Sequence, residues 1–496
     1  MKKNKPNILW ICTDEQRYDS LGCTGNPHAV TPHLDALASE GALYSRFITA
    51  NPVCMPSRAS FFTGQMPSRH GVVTNGIPLP NRDMVAHAPE RADLGPLESH
   101  ATTLPELLAR GGYHTRSIGK LHLTPTQASP DERHPENHWL WHEGKMEDWH
   151  GPYYGFEHVD LTLHHGERNV FGHYRQWLKE VAPEVDKALS EPNAQKTGVP
   201  NLYPGRIPPQ FHHSTWVGDR AVTFLMSEEA KQSPFFLWMS FPDPHLPFTP
   251  PAELSEEFAS HDYLRPGAVA EDLQGKPSAW PKKGVRFFED RPENIALVRR
   301  YTDAQNHLVD RAVGRAVQAL KDSGLWDNTV VVFTSDHGDY LGEFGLVGKK
   351  ELPSNALNHV PCIVRDPTGR LPLSTNLPIS GVDLFPTICD LAGIEIEHAI
   401  DGQSLLGRRE SRNRALVQCQ GAKFPASFTI YDERYRLSWY PESDEWECYD
   451  HDEDPYEKRN IFNEFRERSH FAELKEELMT AHLKAMRPNI GRASCW

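Results

Sequence analysis

The stretch Asn7-Ile8-Leu9-Trp10-Ile11-Cys12-Thr13-Asp14-Glu15 is an apolar run that stops abruptly at two carboxylates. Its apolar part, Ile8 to Cys12, is too short for the hydrophobic region of a secretory leader, which takes about 7–15 residues, and no small-residue cleavage site follows. No stretch of the chain approaches the length needed to span a membrane. The run therefore reads as a buried β-strand with a charged end. Tyr113–Ile118, Phe235–Phe241, Thr329–Thr334 and Pro361–Arg365 look alike, and helical patterns lie between them. Thr31-Pro32 opens one helix as an N-cap followed by proline at the first helical position, and Gly41 closes it. Leu34, Leu37 and Ala38 supply its buried face. A long helix is predicted over Asn294–Leu320, with residues 297, 301, 304, 308, 312 and 316 on one stripe and Gly324 beyond its end. Continuous apolar strands alternating with helices predict an α/β fold. Its core is a large mixed, mostly parallel sheet with helices on both faces.

Outward from this core the texture changes twice. Residues 124–290 are rich in Pro, His and Trp, with Trp139, Trp141, Trp149 and eight histidines between 134 and 173. They are expected to form irregular excursions over the functional edge of the sheet. From about 412, short strand-like pieces, Arg436–Tyr440 and Trp446–Tyr449, precede a helix with Phe471, Leu474, Leu478, Ala481 and Ala485 on one face. The expected division is a catalytic domain over 1–411 and a small α+β subdomain with an antiparallel sheet over 412–496. The terminal Gly491–Trp496 segment is a candidate for docking on a second copy of the chain, with a disordered end as the base rate.

Composition bounds the function. The chain has 496 residues, 38% hydrophobic and 24% charged, enough for a large core. A formal charge of −15 argues against a nucleic-acid-coating protein. The eight cysteines form no CxxC pair, which argues against a disulfide framework and, with no leader or membrane span in view, for a cytoplasmic protein. The 26 histidines outnumber the 22 phenylalanines and direct attention to metal and acid–base chemistry.

Four of the strands end in ionisable residues: Asp14-Glu15, then Lys120 and His122, then His245, then Asp336-His337. Ligands of open α/β sheets bind outside the carboxyl ends of the strands, so parallel neighbours would bring these residues to one rim. Any one of them alone fits a solvated strand end or, for Asp336-His337-Gly338, a turn. Asp14 and Asp336, with Glu15 and His337 beside them, offer hard oxygen donors and an imidazole suited to Ca²⁺, Mg²⁺ or Mn²⁺. In Asn51-Pro52-Val53-Cys54-Met55-Pro56-Ser57-Arg58, Pro56 suits the first turn of a helix running to Thr63. From spacing alone Cys54 is either a buried core thiol or a group at a helix N-terminus that favours an anion, with Arg58 returning over it.

Cys54-x-Pro56-Ser57-Arg58, followed by Thr63-Gly64, resembles the signature of the sulfatase family of the alkaline phosphatase superfamily. Gly112-Tyr113-His114-Thr115-Arg116-Ser117-Ile118-Gly119-Lys120-Leu121-His122 matches a second signature. Leu325 to Asp339, Gly348-Lys349 and the closing Cys448-Tyr449-Asp450 with Asp454-Pro455-Tyr456 and Asn460 are also family-like, so the resemblance covers nearly the whole chain. It implies an alkaline phosphatase-like fold and hydrolysis of a small anionic sulfate ester. The nucleophile would be formylglycine, made from Cys54 by a formylglycine-generating system, acting through a covalent sulfo-enzyme intermediate. It also implies one divalent metal ion, Ca²⁺ first and Mn²⁺ next, on Asp14, Glu15, Asp336, His337 and residue 54. Arg58 and Lys120 would orient the aldehyde hydrate. His122 would take a proton, and His245 and Lys349 would hold the sulfonyl oxygens and protonate the leaving group. Asn75 resembles a polar position near the substrate in phosphonate monoester hydrolases. Met55, Glu15, His337 and Leu121 depart from the commonest residues. Asp-His at 336–337 also occurs in phosphonate monoester hydrolases, which makes phosphonate monoester or phosphodiester hydrolysis the alternative reaction. A catalytically silent anion- or metal-binding protein is the remote one.

Overall fold

The structure is a computed structural model. It describes residues 5–80, 102–193, 197–260, 267–285, 291, 293–373, 375, 377–406, 414–421 and 424–486. The Gly491–Trp496 segment and the 411/412 domain boundary lie outside these residues.

Fourteen strands are found among the described residues. They are β1 (Asn7–Asp14), β2 (Ala42–Leu43), β3 (Phe47–Ile48), β4 (His114–Gly119), β5 (His158–Leu163), β6 (Phe171–Gly172), β7 (Phe235–Pro244), β8 (Thr329–Ser335), β9 (Cys362–Arg365), β10 (Ile379–Ser380), β11 (Ala415–Cys419), β12 (Ser427–Tyr431), β13 (Tyr435–Tyr440) and β14 (Glu445–Asp450). Eight form the central sheet in the order β2-β9-β8-β1-β7-β4-β5-β6. The inner strands β8, β1, β7, β4 and β5 run parallel, and antiparallel pairing appears only at β9 and β6 and where β2 joins β9. All five runs read from the sequence are strands of this sheet. β3 and β10 form a separate pair.

The sheet is buried on both faces, which explains why its strands are continuously apolar. Ile8, Trp10 and Cys12 of β1 join one core cluster, and Leu9 and Ile11 join the other. The Leu9–Ile11 face is covered by helices Pro32–Glu40, His213–Leu225 and Glu293–Asp322. The Trp10 face is covered by helices Cys54–Thr63, Leu104–Arg110 and Leu384–Ala392.

Two local expectations need correction. Thr31 does not cap its helix with its side chain. Its hydroxyl accepts from the Gly22 amide, while the helix's first free amides, His33 and Leu34, donate to Asp310 of the long helix. A carboxylate from a distant element thus replaces the local cap. The stripe of the long helix begins at Ile295 and Val298, with Leu297 only partly buried.

Residues 124–290 are more than surface excursions. They supply β5, β6 and β7 to the central sheet, and β5 pairs parallel with β4. The C-terminal region forms a four-stranded antiparallel sheet in the order β11-β12-β13-β14, covered by helix Ser469–Ala485 through Leu474, Leu478 and Ala485.

The helix that carries Cys54 is locked to the sheet by aromatic contacts. Phe62 packs against Trp238 with ring centroids 4.7 Å apart and against Phe156 at 5.8 Å, and Phe61 lies 5.4 Å from Trp10. Phe62 is fully buried. Phe62→Ala is expected to destabilise the fold by about 3–5 kcal/mol. A denaturant midpoint shift at unchanged m-value measures it.

Candidate active site

The register of the parallel strands brings their carboxyl ends together. Thr13 pairs with Ser335, and Asp14 pairs with Pro244 after an irregularity in β1. Gly119 pairs with Ser240. Asp14, Asp336, Lys120 and His245 therefore leave adjacent strands on one rim. Gly119 is required there: its φ is +103°, and a Cβ on it would lie 1.7 Å from the Ser240 carbonyl oxygen. β4 and β7 approach too closely for any side chain.

Cys54 is the first residue of its helix and is buried over this rim. Its sulfur lies 3.2 Å from His337 Nε2 and 3.6 Å from Asp14 Oδ1. Donor atoms of Asp14, Cys54, Asp336 and His337 all lie within 4.8 Å of one another. Burial and Asp14 push the thiol up, yet Lys120, Lys349 and His337 outweigh them and hold it well below the ordinary range. The core-thiol reading of Cys54 does not describe this environment.

Asp336 is held from every side. Its carboxylate accepts from Arg58 Nε at 2.7 Å and from the amides of Glu15 and His337 at 3.1 and 2.9 Å. Its carbonyl accepts from Thr49 and Ser57. Arg58 is fully buried and also donates to the Lys120 carbonyl and Ser240 Oγ, each at 3.0 Å. Burial alone would lower its guanidinium, and Asp336, with Cys12, Asp14 and Cys54, holds it above its usual range instead.

These donors fit a divalent cation. His337 Nδ1 faces the Gly338 carbonyl at 2.9 Å, which leaves Nε2 aimed into the cluster. Metal-ligating histidines are oriented by hydrogen bonds of this kind. Burial would lower His337, yet Asp336 leads the groups that raise it to about 9, so the cluster favours positive charge. The two carboxylates and the imidazole offer a divalent cation three convergent donors.

Glu15 stands apart from that cluster. Its carboxylate faces His245 Nε2 at 3.1 Å and Lys349 Nζ at 3.9 Å. Burial lifts it to about 8 against the pull of Lys349. Lys349 is held above its usual range by Cys54, Glu15 and Asp14, which overcome its burial. Its ammonium donates to His245 Nε2 at 2.5 Å. Lys120 donates to Asp14. Burial and Lys120 lower His122 to about 4, and burial and Lys349 lower His245 to about 4, so both imidazoles are neutral near pH 7. His122 has a φ of +57°, and the amides of residues 122, 123 and 124 donate to buried Glu136, which fixes that turn. The Asn75 side chain is a helix cap here: its Oδ1 accepts from the Met55 amide at 3.0 Å.

His165 is the main residue that the sequence reading missed. It follows β5, stacks on His245 with ring centroids 3.6 Å apart at 10°, and places Nε2 3.1 Å from Asp14 Oδ2. The signal was present. His158-Val159-Asp160-Leu161-Thr162-Leu163 alternates like a strand and ends, as the other strands do, in ionisable residues.

Arg58→Met is expected to destabilise the protein by about 3–5 kcal/mol, because it leaves the Asp336 carboxylate buried without its partner. Thermal and denaturant unfolding measure this.

The chain is similar to known proteins along most of its length. The sequence profile described as Sulfatase matches residues 6–394, and the profile described as N-sulphoglucosamine sulphohydrolase, C-terminal, matches residues 342–484. The uncharacterized sulfatase YidJ of Escherichia coli strain K12 is 27% identical, over 97% of this chain and 87% of that one. The arylsulfatase of Clostridium perfringens is also 27% identical, over 94% of this chain and 92% of the relative. The crystal structure of the phosphonate monoester hydrolase of Agrobacterium radiobacter shares the fold, with a TM-score of 0.74 at 23% identity over 97% of this chain and 96% of that one. A helix that seats Cys54 over paired strand-end carboxylates fits such a protein, and a family profile that spans most of the chain decides it: this protein belongs to the sulfatase family.

Proposed function

We propose that this protein hydrolyses the sulfate ester of a small anionic substrate. The nucleophile is formylglycine derived from Cys54, and the sulfo group passes through a covalent bond to residue 54. The observation that carries this reading is the packing of Asp14, Cys54, Asp336 and His337 donor atoms within 4.8 Å of one another, inside a ring of Lys120, His122, His245 and Lys349. Asp14, Asp336 and His337 would hold one divalent cation, Ca²⁺ or Mn²⁺, with Glu15 available from the side. When bound, that cation supplies charge neutralisation and polarises oxygen ligands.

The chain's own groups do the rest. Arg58 holds Asp336 and the end of β4 in place, and residue 54 sits at the positive end of its own helix. Lys120 and Lys349 carry positive charge to where sulfonyl oxygens would lie, and preorganised charge of this kind usually supplies a large share of a rate enhancement. His122 is neutral and buried, fit to accept the proton whose loss releases sulfate. His245 is oriented by the Leu246 carbonyl at Nδ1 and meets Lys349 at Nε2. That pair is suited to hand a proton to the departing oxygen.

Mass spectrometry of the peptide holding residue 54 is expected to show sulfur replaced by oxygen. A free, alkylatable thiol in fully active protein would overturn the formylglycine mechanism. Lys349→Ala is expected to lower kcat about 100-fold on aryl sulfates with little change in Tm. A matching loss of stability would make Lys349 structural. Chelation is expected to abolish turnover, and Ca²⁺ or Mn²⁺ to restore it.

Phosphonate monoester or phosphodiester hydrolysis with the same nucleophile is the second reading. It is favoured by Asp336-His337 and by the shared fold. A kcat/KM comparison on aryl sulfate and aryl phosphonate esters decides, and a large preference for the phosphonate would reverse the order.

Among the described residues no helix is long and apolar enough to cross a membrane.

A further inference from the structure

His165 has no role in the hydrolysis as derived above, yet it touches both arms of the site. Strands β7, β4 and β5 are adjacent and parallel. Their carboxyl ends deliver His245, Lys120 and His165 in that spatial order. Lys120 donates to His165 Nε2 at 2.6 Å as well as to Asp14. On its flat side, the His165 ring covers His245 at 3.6 Å and 10°. One imidazole therefore contacts the lysine on the nucleophile side and the histidine on the leaving-group side.

The local backbone is built for this placement. His164 has a φ of +61°, and its ring turns away to meet His138 at 5.4 Å and Phe171 at 6.0 Å. That reversal lets consecutive histidines face opposite ways, at a cost a non-glycine residue bears only where its surroundings impose it. Gly166 follows at φ +68°, where a Cβ would lie 3.0 Å from Pro247 Cδ, so the His165 turn seats directly on the loop that carries His245.

We propose that His165 is a positioning residue that keeps Lys120 and His245 in register across residue 54. Its Nε2 accepts from Lys120 and holds that ammonium beside Asp14. Its face fixes the plane of His245, so that the edge of that ring stays directed at Lys349. It acts through these two groups rather than on the substrate.

The inference rests on the sulfatase reading, and three variants separate its two parts on a series of aryl sulfates of rising phenol pKa. His165→Gln keeps an acceptor for Lys120 and removes the face on His245. His165→Phe keeps the face and removes the acceptor, and His165→Ala removes both. The alanine variant is expected to lose about 10–100-fold in kcat, the usual scale for groups that orient catalytic residues, with Tm unchanged. The glutamine variant's loss is expected to widen as the leaving phenol becomes more basic, because a poorer leaving group depends more on proton transfer through His245. The phenylalanine variant's loss is expected to be uniform along the series. An active wild type with variants equal to it overturns the inference alone. So does a loss that follows Tm and is the same along the series in all three variants. A wild type inactive on every aryl sulfate overturns the functional reading and this inference together.

Discussion

Arg58 lies with no solvent exposure at the junction of one helix and three strands. Its guanidinium bonds to Asp336 at the end of β8, to the carbonyl of Lys120 at the end of β4, and to Ser240 in β7. A buried guanidinium without partners is strongly unfavourable, and so is a buried carboxylate. Each therefore holds the other where it is, and the helix that starts at Cys54 cannot shift without breaking the pair. The aromatic contacts of Phe61 and Phe62 press the same helix onto Trp10 and Trp238. The polar clamp fixes position, and the apolar contacts supply much of the driving force for seating the helix on the sheet.

Around that clamp the site alternates in sign. Asp14 and Asp336 are interleaved with Lys120, Arg58 and Lys349, and the four imidazoles of His122, His165, His245 and His337 lie among them. Coulomb interactions strengthen in a buried setting, so small displacements would be costly. This explains why the −15 of the whole chain says little about the pocket. The global charge describes the exterior, while the site presents cations to an anionic ligand at close range.

Much of this was legible in the sequence. β1, β4, β7, β8 and β9 were readable because a strand buried on both faces is apolar at every position. The helix over residues 54–63 was readable from Pro56 and the residues after it. β5 was hidden because its alternating pattern sits in a stretch dominated by Pro, His and Trp, and His165 was hidden with it. The exchange of Thr31 for Asp310 as the cap of the first helix was illegible for another reason. The two residues are far apart in the chain, and either could satisfy the same amides. Asn75 reads from the sequence as a polar group near the substrate, and its carbonyl oxygen bonds the Met55 amide beside Cys54; which way an amide side chain turns depends on what folds against it.

The sequence alone determined the element types, the charged strand ends, and the signature around Cys54 that marks the family. Those depend on local spacing, on burial of whole strands, and on residue chemistry. Only the tertiary structure decided that Glu15 turns to His245 and Lys349 rather than to the Asp14–Asp336 cluster. It also decided that Arg58 serves three partners and that β5 brings His165 onto His245. The reason is physical: side-chain direction at a crowded rim follows from strand order, register and charge balance among residues distant in sequence, and no local pattern encodes them.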